Sequence, residues 1–212
     1  HHTHTLKIIG IGESTMAGVG VDKHIEGFMG SFAESIAQRY QVNIDWTVCA
    51  KNGVQVRKIR RKLLDSIEEE ADLLVIALGA NDAFALRSPK RFEEDIRRLI
   101  VDLRKQFGPD IPIVFTNMAP IHLFPAFTFL MRWIMGGLVS LFGDVLNRVV
   151  QEYDNIYYNS EKIDLQLWRE RYKEQSDMSE LFSDGVHPSK ITYRLWGQDM
   201  ASFTQENLSR LG

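Results

Sequence analysis

The chain predicts an α/β fold, a parallel sheet held between two layers of helices, and three observations predict it. Short apolar runs rich in β-branched residues recur along the sequence, beginning with Leu6 to Ile11. Longer stretches between them repeat their apolar residues every three to four positions, the period of a half-buried helix. One run, Asp72 to Leu78, is apolar almost throughout, as a strand covered on both faces must be. Strands alternating with helices in this way call for parallel pairing and a three-layer α/β/α sandwich.

The first strand breaks at Gly12, and Ser14 follows where the backbone must turn. Ligands of open α/β sheets bind beyond the carboxyl ends of the strands, so Ser14 stands where a nucleophile is useful. A cap or turn role would be equally ordinary for a lone serine. Gly27 to Tyr40 reads as a helix with Phe28, Phe32, Ile36 and Tyr40 on one face, and Val42 to Val48 as the second strand. Val56, Ile59, Leu63 and Ile67 mark the next helix; its other face, Arg57, Lys58, Arg60, Arg61 and Lys62, reads as a solvated surface. After the third strand, Ser88 caps a helix that Pro89 opens. Its buried face is Phe92, Ile96, Leu99, Leu103 and Phe107, and Gly108-Pro109 ends it. Ile111 to Thr116 is the fourth strand, Leu138 to Tyr153 a helix and Asn155 to Tyr158 a short fifth strand. Pro188 opens a final helix in which Leu195, Trp196, Met200 and Phe203 pack.

The segment from Ile121 to Phe142 is unusual, with Phe124, Phe127, Phe129, Trp133 and Leu138 among many apolar residues. A membrane span needs about 20 predominantly apolar residues. Pro125, Arg132 and the pair Gly136-Gly137 interrupt this stretch, so no integral span is expected. Core packing and an apolar wall for an acyl chain remain as its two readings, with Phe124, Phe127 and Trp133 as the substrate-binding candidates. Transient contact with a lipid surface is compatible with either.

With 212 residues the chain is long enough for one domain with a full core; residues 6–212 are read as that domain, and residues 1–5, with His1, His2 and His4, as a tag remnant. A net charge of −3 and a pI near 6.1 leave no basic footprint for nucleic acid. The single cysteine, Cys49, rules out an internal disulfide and allows a reducing compartment. No leader precedes the first strand, so a cytoplasmic location is expected, a native leader replaced by the tag being the alternative. No cluster of metal-ligand spacing and no complete cofactor motif stands out.

Three further stretches sit at or near strand ends or in the last loop. Cys49-Ala50-Lys51-Asn52-Gly53 follows the second strand, Leu78-Gly79-Ala80-Asn81-Asp82 the third, and Asp184-Gly185-Val186-His187-Pro188 precedes the last helix. With the Ser14 turn, these four blocks in order resemble the SGNH, or GDSL, esterase/lipase family, whose name letters Ser, Gly, Asn and His match Ser14, Gly53, Asn81 and His187. The resemblance runs from Gly10 to Pro188. It implies the flavodoxin-like strand order 2-1-3-4-5, hydrolysis of a small-molecule ester, no cofactor, and two departures: Glu13 stands where the family usually has aspartate and Thr15 where it has leucine.

Ester hydrolysis explains why these residue types would be needed. A serine hydroxyl is a weak nucleophile until a neighbouring base takes its proton, and imidazole is the natural base near neutral pH. Asp184 would accept the other ring N–H of His187 and fix its tautomer. The backbone N–H groups of Ser14 and Gly53 and the side-chain amide of Asn81 would hold the developing oxyanion. His24 reads as a loop residue and His122 as a possible lining residue, neither having a carboxylate nearby in sequence. Thr15 spoils a dinucleotide-binding G-x-G-x-x-G, Glu13 a phosphate loop, and Met16 the G-x-S-x-G of α/β-hydrolases. The expected function is a serine esterase for short-to-medium acyl or other hydrophobic esters, with a carbohydrate O-acetylesterase and a non-catalytic binding module as the alternatives.

Overall fold

The computed structural model describes residues 5–208. Residues 1–4, read from the sequence as part of a tag remnant, lie outside the described residues, while Thr5, read as part of it too, opens the first strand. The strands are β1 (Thr5–Gly12), β2 (Asn43–Ala50), β3 (Leu73–Ala77), β4 (Ile113–Phe115) and β5 (Ile156–Tyr158). They form one parallel sheet in the order β2-β1-β3-β4-β5. The helices are α1 (Phe28–Tyr40), α2 (Val56–Lys62), α3 (Ala80–Phe84), α4 (Pro89–Phe107), α5 (Phe129–Val150), α6 (Leu165–Arg171) and α7 (Lys190–Asn207).

Strand side chains alternate between two cores, as the pleat requires. Leu74, Ile76, Ile113 and Phe115 face the layer of α2, α4 and α5. Leu73, Val75 and Val114 face the layer of α1, α6 and α7. The five residues of β3 are all buried, which is why the sequence there lacks alternation. Ser88 caps α4 as expected, its side chain accepting a hydrogen bond from Arg91 N.

Three expectations change. The stripe Val56 to Ile67 is not one helix: α2 ends at Lys62 and a 3-10 turn, Leu64–Ser66, follows. The same four residues stay buried, because two short turns can present one apolar stripe as well as a single helix can. The helix expected from Leu138 begins nine positions earlier, at Phe129, where Thr128 caps it by accepting from Met131 N at 3.3 Å. The Gly136-Gly137 pair does not break it. Gly136 lies where a Cβ would press at 3.3 Å on the His122 side chain, so a small residue lets α5 approach the preceding segment. Finally, α3 and α6 were not anticipated; both are short, and α3 is capped from a distance, as described below.

Helix α5 is long and apolar enough to cross a membrane, with a mean hydropathy of 1.5 over its richest window. Its second half is built into the core through Phe142, Val145, Leu146 and Val149. Its first half is not: Phe129 is 78% and Trp133 70% exposed.

Candidate active site

The order β2-β1-β3 makes the chain leave β1 and β3 in opposite directions, and a crevice opens between their carboxyl ends. Ser14 sits at one lip of it, two residues beyond β1, and Asn81 at the other, in the first turn of α3. The Ser14 turn is held by its own backbone, Val19 N donating to Ser14 O at 3.0 Å and Ala17 N to Glu13 O at 3.0 Å. Tyr193 of α7 fastens the same turn by donating its hydroxyl to Val19 O at 2.7 Å.

Glu13 bridges the two lips. Its buried carboxylate accepts from Ala80 N at 3.1 Å, Asn81 N at 3.1 Å and Asn81 Nδ2 at 2.8 Å. The first N–H groups of a helix have no partner within it, and Gly79 at the N-cap has no side chain to supply one. Glu13 therefore caps α3 across the crevice and fixes the Asn81 amide, leaving its second N–H to point elsewhere. Burial pushes the Glu13 carboxyl up from 4.5 to about 7, against the pull of the donated hydrogen bonds. The extra methylene relative to aspartate is the reach this bridge uses, a role that no pattern near Glu13 in the sequence announces.

The third lip is the loop before α7. Asp184 Oδ1 accepts from Val186 N at 3.0 Å and His187 N at 2.7 Å, while Oδ2 lies 2.8 Å from His187 Nδ1. The carboxylate thus closes the turn and holds the imidazole with the same group. The donated backbone bonds first, then the imidazole, hold the Asp184 carboxyl down at about 2, so it is ionised throughout the neutral range. Ala126 N donates to Gly185 O at 3.1 Å, tying the unusual apolar segment to this loop.

Ser14, Asn81 and His187 line one cavity of about 190 Å³. Its apolar wall comes from Phe84, Phe124, Leu165, Trp168, Phe182 and Trp196. Gly53 is not among the lining residues; its neighbour Asn52 is. Gly53 itself has φ +74° with open space where a Cβ would stand, a backbone that favours glycine.

The aromatic candidates divide. Phe124 lines the cavity and is buried. Phe127 stands behind it, edge-on to Phe124 at 5.5 Å and to Phe84 at 5.7 Å. Trp133 does not line that cavity; it lies one turn into α5 and lines a second cavity with His122. His24 begins a 3-10 turn, His24–Glu26, and is exposed. The wall residues of α6 escaped the sequence reading, although Asp164 before Leu165 and Trp168 was a usable signal. Its side chain caps α6 by accepting from Gln166 N and Leu167 N, both at 3.0 Å, and the two apolar residues follow at helical spacing. Among the described residues no group of acidic, histidine or cysteine side chains is placed to hold a metal ion.

A five-stranded parallel α/β/α sandwich with a serine, an asparagine and an aspartate-paired histidine around one crevice defines a class, the SGNH-type hydrolases. The sequence matches the GDSL-like lipase/acylhydrolase family over residues 11–195, and the chain belongs to that family and is a carboxylic-ester hydrolase. Solved structures share the fold. The lipase Lip_vut3 from a goat rumen metagenome superposes with a TM-score of 0.67 at 18% identity, covering 93% of this chain and 96% of its own. The psychrotrophic esterase EstA from Pseudoalteromonas, solved inhibited by monoethylphosphonate, gives 0.64 at 16% identity, over 96% and 99%. The acetyl xylan esterase AlAXEase gives 0.65 at 18%, over 93% and 99%. No curated protein matches the chain.

Proposed function

We propose that the protein is a serine esterase acting through an acyl-enzyme, with Ser14 as nucleophile, His187 as general base and Asp184 as the group that orients it. The observation that carries this reading is the shared cavity of Ser14, Asn81 and His187, with Asp184 Oδ2 2.8 Å from His187 Nδ1. The Ser14 hydroxyl oxygen attacks the ester carbonyl carbon while its proton passes to His187 Nε2. The carbonyl oxygen, now negative, takes hydrogen bonds from the N–H groups of Ser14 and Gly53 and the free N–H of the Asn81 amide. The C–O bond to the alcohol breaks as His187 returns the proton to the leaving oxygen. Water then repeats the sequence on the acyl-serine, releasing the acid and restoring the serine. Asp184 stays ionised throughout and stabilises the imidazolium.

A cavity of about 190 Å³ is slightly larger than the roughly 150 Å³ that encloses a benzene ring, which supports a short acyl group. The same size supports a second reading, a carbohydrate O-acetylesterase, the activity named for the structural neighbour AlAXEase. The exposed apolar half of α5 supports contact of this esterase with a lipid surface.

Ser14→Ala should abolish ester turnover and leave the circular dichroism spectrum unchanged, and an alkylphosphonate should add to Ser14 and no other residue by mass spectrometry. A folded Ser14→Ala protein with near-wild-type turnover refutes the mechanism. Nitrophenyl esters of two to eight carbons, run beside an acetylated xylo-oligosaccharide, separate the two substrate readings. Each enclosed methylene contributes about 0.8 kcal/mol, so a hydrophobic-ester enzyme shows kcat/KM rising over the first few carbons and levelling when the cavity is full. Preference for the oligosaccharide with a flat chain-length profile favours the acetylesterase.

A further inference from the structure

The second cavity, about 630 Å³, adjoins the first: Ala119, Pro120 and Ile163 line both. The first holds only a short apolar group, so the rest of a substrate must lie outside it, and the shared wall leads to this larger space. Its lining is mixed, with Met118, Ile121, Trp133 and Val139 beside the charged residues Arg132, Lys162, Asp144 and Glu161 and the polar His122 and Tyr158.

The charges there are unevenly matched. Glu161 is engaged by Arg171 at 3.4 Å. Arg132 and Lys162 pair with no carboxylate among the described residues. Arg132 Nε is also cut off from solvent with no hydrogen-bond partner; Arg104 Nε and Arg169 Nε share that state, but of the three only Arg132 lines this cavity, where a ligand could reach its guanidinium. Burial first, then Lys162, lower the pKa of His122, so it is a neutral hydrogen-bonding group at neutral pH. Asp144 is the one remaining carboxylate of the lining.

We propose that this cavity is an anion subsite in which Arg132, assisted by Lys162, binds a carboxylate or phosphate carried by the ester whose reacting carbonyl lies at Ser14. The guanidinium fork matches either oxyanion. The inference rests on the serine-esterase reading and narrows its substrate to an ester with a short apolar end and an anionic far end.

The test compares 1-hexanoylglycerol 3-phosphate with 1-hexanoylglycerol, reading hexanoate release by wild type, Arg132→Gln, Arg132→Lys and Lys162→Gln. A charge-assisted hydrogen bond corresponds to about tenfold or more in binding, so wild type should prefer the phosphate ester by that factor in kcat/KM, mainly through KM. The ratio should fall to near one in Arg132→Gln, recover in part in Arg132→Lys, and drop less in Lys162→Gln. Calorimetry with glycerol 3-phosphate and with glutarate, on Ser14→Ala protein with and without Arg132→Gln, reads the subsite without turnover. Binding of the phosphate, the carboxylate or both, lost with Arg132, supports the subsite and identifies the anion. Binding without hydrolysis of either ester by wild type defeats the esterase reading and leaves the subsite standing. No binding of either anion, or a preference untouched by all three variants, overturns the subsite; Lys162 is exposed, so its variant reports even if Arg132→Gln misfolds.

Discussion

Glu13→Ala tests whether one residue both builds the active-site crevice and sets its chemistry. The substitution strands three donors, Ala80 N, Asn81 N and Asn81 Nδ2, which now bond the carboxylate at 3.1, 3.1 and 2.8 Å. An unpaired buried donor costs about 1–3 kcal/mol, but the vacated space admits water, and removing the carboxylate also relieves its own burial. The net expectation is a loss of roughly 1–3 kcal/mol, a melting temperature lower by about 2–4 °C for each kcal/mol in a chain of this size.

The kinetic effect should be larger than the structural one. Freed from Glu13, the Asn81 amide no longer holds one orientation toward the proposed oxyanion, and losing one such donor lowers kcat by about 10²–10³. KM should change little, because the interaction forms only in the transition state. Asn81→Ala alone should lower kcat by the same factor with a smaller loss of stability. In the double variant the two kinetic losses should not multiply, since both remove one donor. A Glu13→Ala protein that melts early but keeps kcat within a factor of two refutes the positioning role, as does a double variant whose losses multiply.

Three other perturbations have expected outcomes. Glu13 ionises at about 7 in the fold against 4.5 as an ordinary glutamate, so the unfolded chain loses its proton first and stability falls as pH rises from 4.5 to 7. Glu13→Gln should remove roughly 2 kcal/mol of that slope in urea unfolding at pH 5 and pH 7.5, and an unchanged slope sinks the assignment; the buried Asp82, whose pKa is pushed up to about 6, adds a slope of its own to both proteins, smaller where the neighbouring Glu13 charge is gone. Asp184, held at about 2 from 3.8, has the opposite sign: it stabilises above pH 3.8, and the benefit is lost as pH falls towards 2. Asp184→Asn should remove that acid-limb dependence and lower kcat by orders of magnitude through the wrong imidazole tautomer; kcat near wild type would show that His187 needs no carboxylate. Phe129→Ser with Leu130→Ser should lower co-sedimentation with phosphatidylcholine vesicles while the melting temperature holds, both side chains being mostly exposed; vesicle binding equal to wild type removes the lipid-surface contact.

What was legible in the sequence depended on how local its cause is. The α4 boundaries follow from Ser88-Pro89 and Gly108, whose effects are confined to one turn, and the helix spans Pro89–Phe107. The sheet was visible because strands buried on both faces leave continuous apolar runs. The pairing of Asp184 and His187 needs only one loop, and its geometry is there. Glu13 was opaque for the opposite reason. Its partners are Ala80 and Asn81, on the far side of the crevice, and nothing near Glu13 says that a helix across the sheet lacks a cap. Short helices suffer likewise: α3 has five residues and α6 seven, too few for a periodic signal to exceed chance.

The apolar segment shows where composition misleads and spacing would not. Counting aromatic residues sent Phe124, Phe127 and Trp133 to one wall, but a helix distributes its residues by angle. Once Thr128 caps α5, Val139, Phe142, Val145 and Leu146 turn to the core. Arg132, Gly136, Ser140, Gly143 and Asn147 then form another stripe at steps of three and four, all lining the second cavity. Small residues spaced in this way leave a groove, with Arg132 at its head and Asp144 of the same helix also lining it. Trp133 lines the second cavity beside this stripe and not the cavity of Ser14. One stripe of the helix faces the core and another lines the second cavity, and the apolar composition of the segment conceals the second.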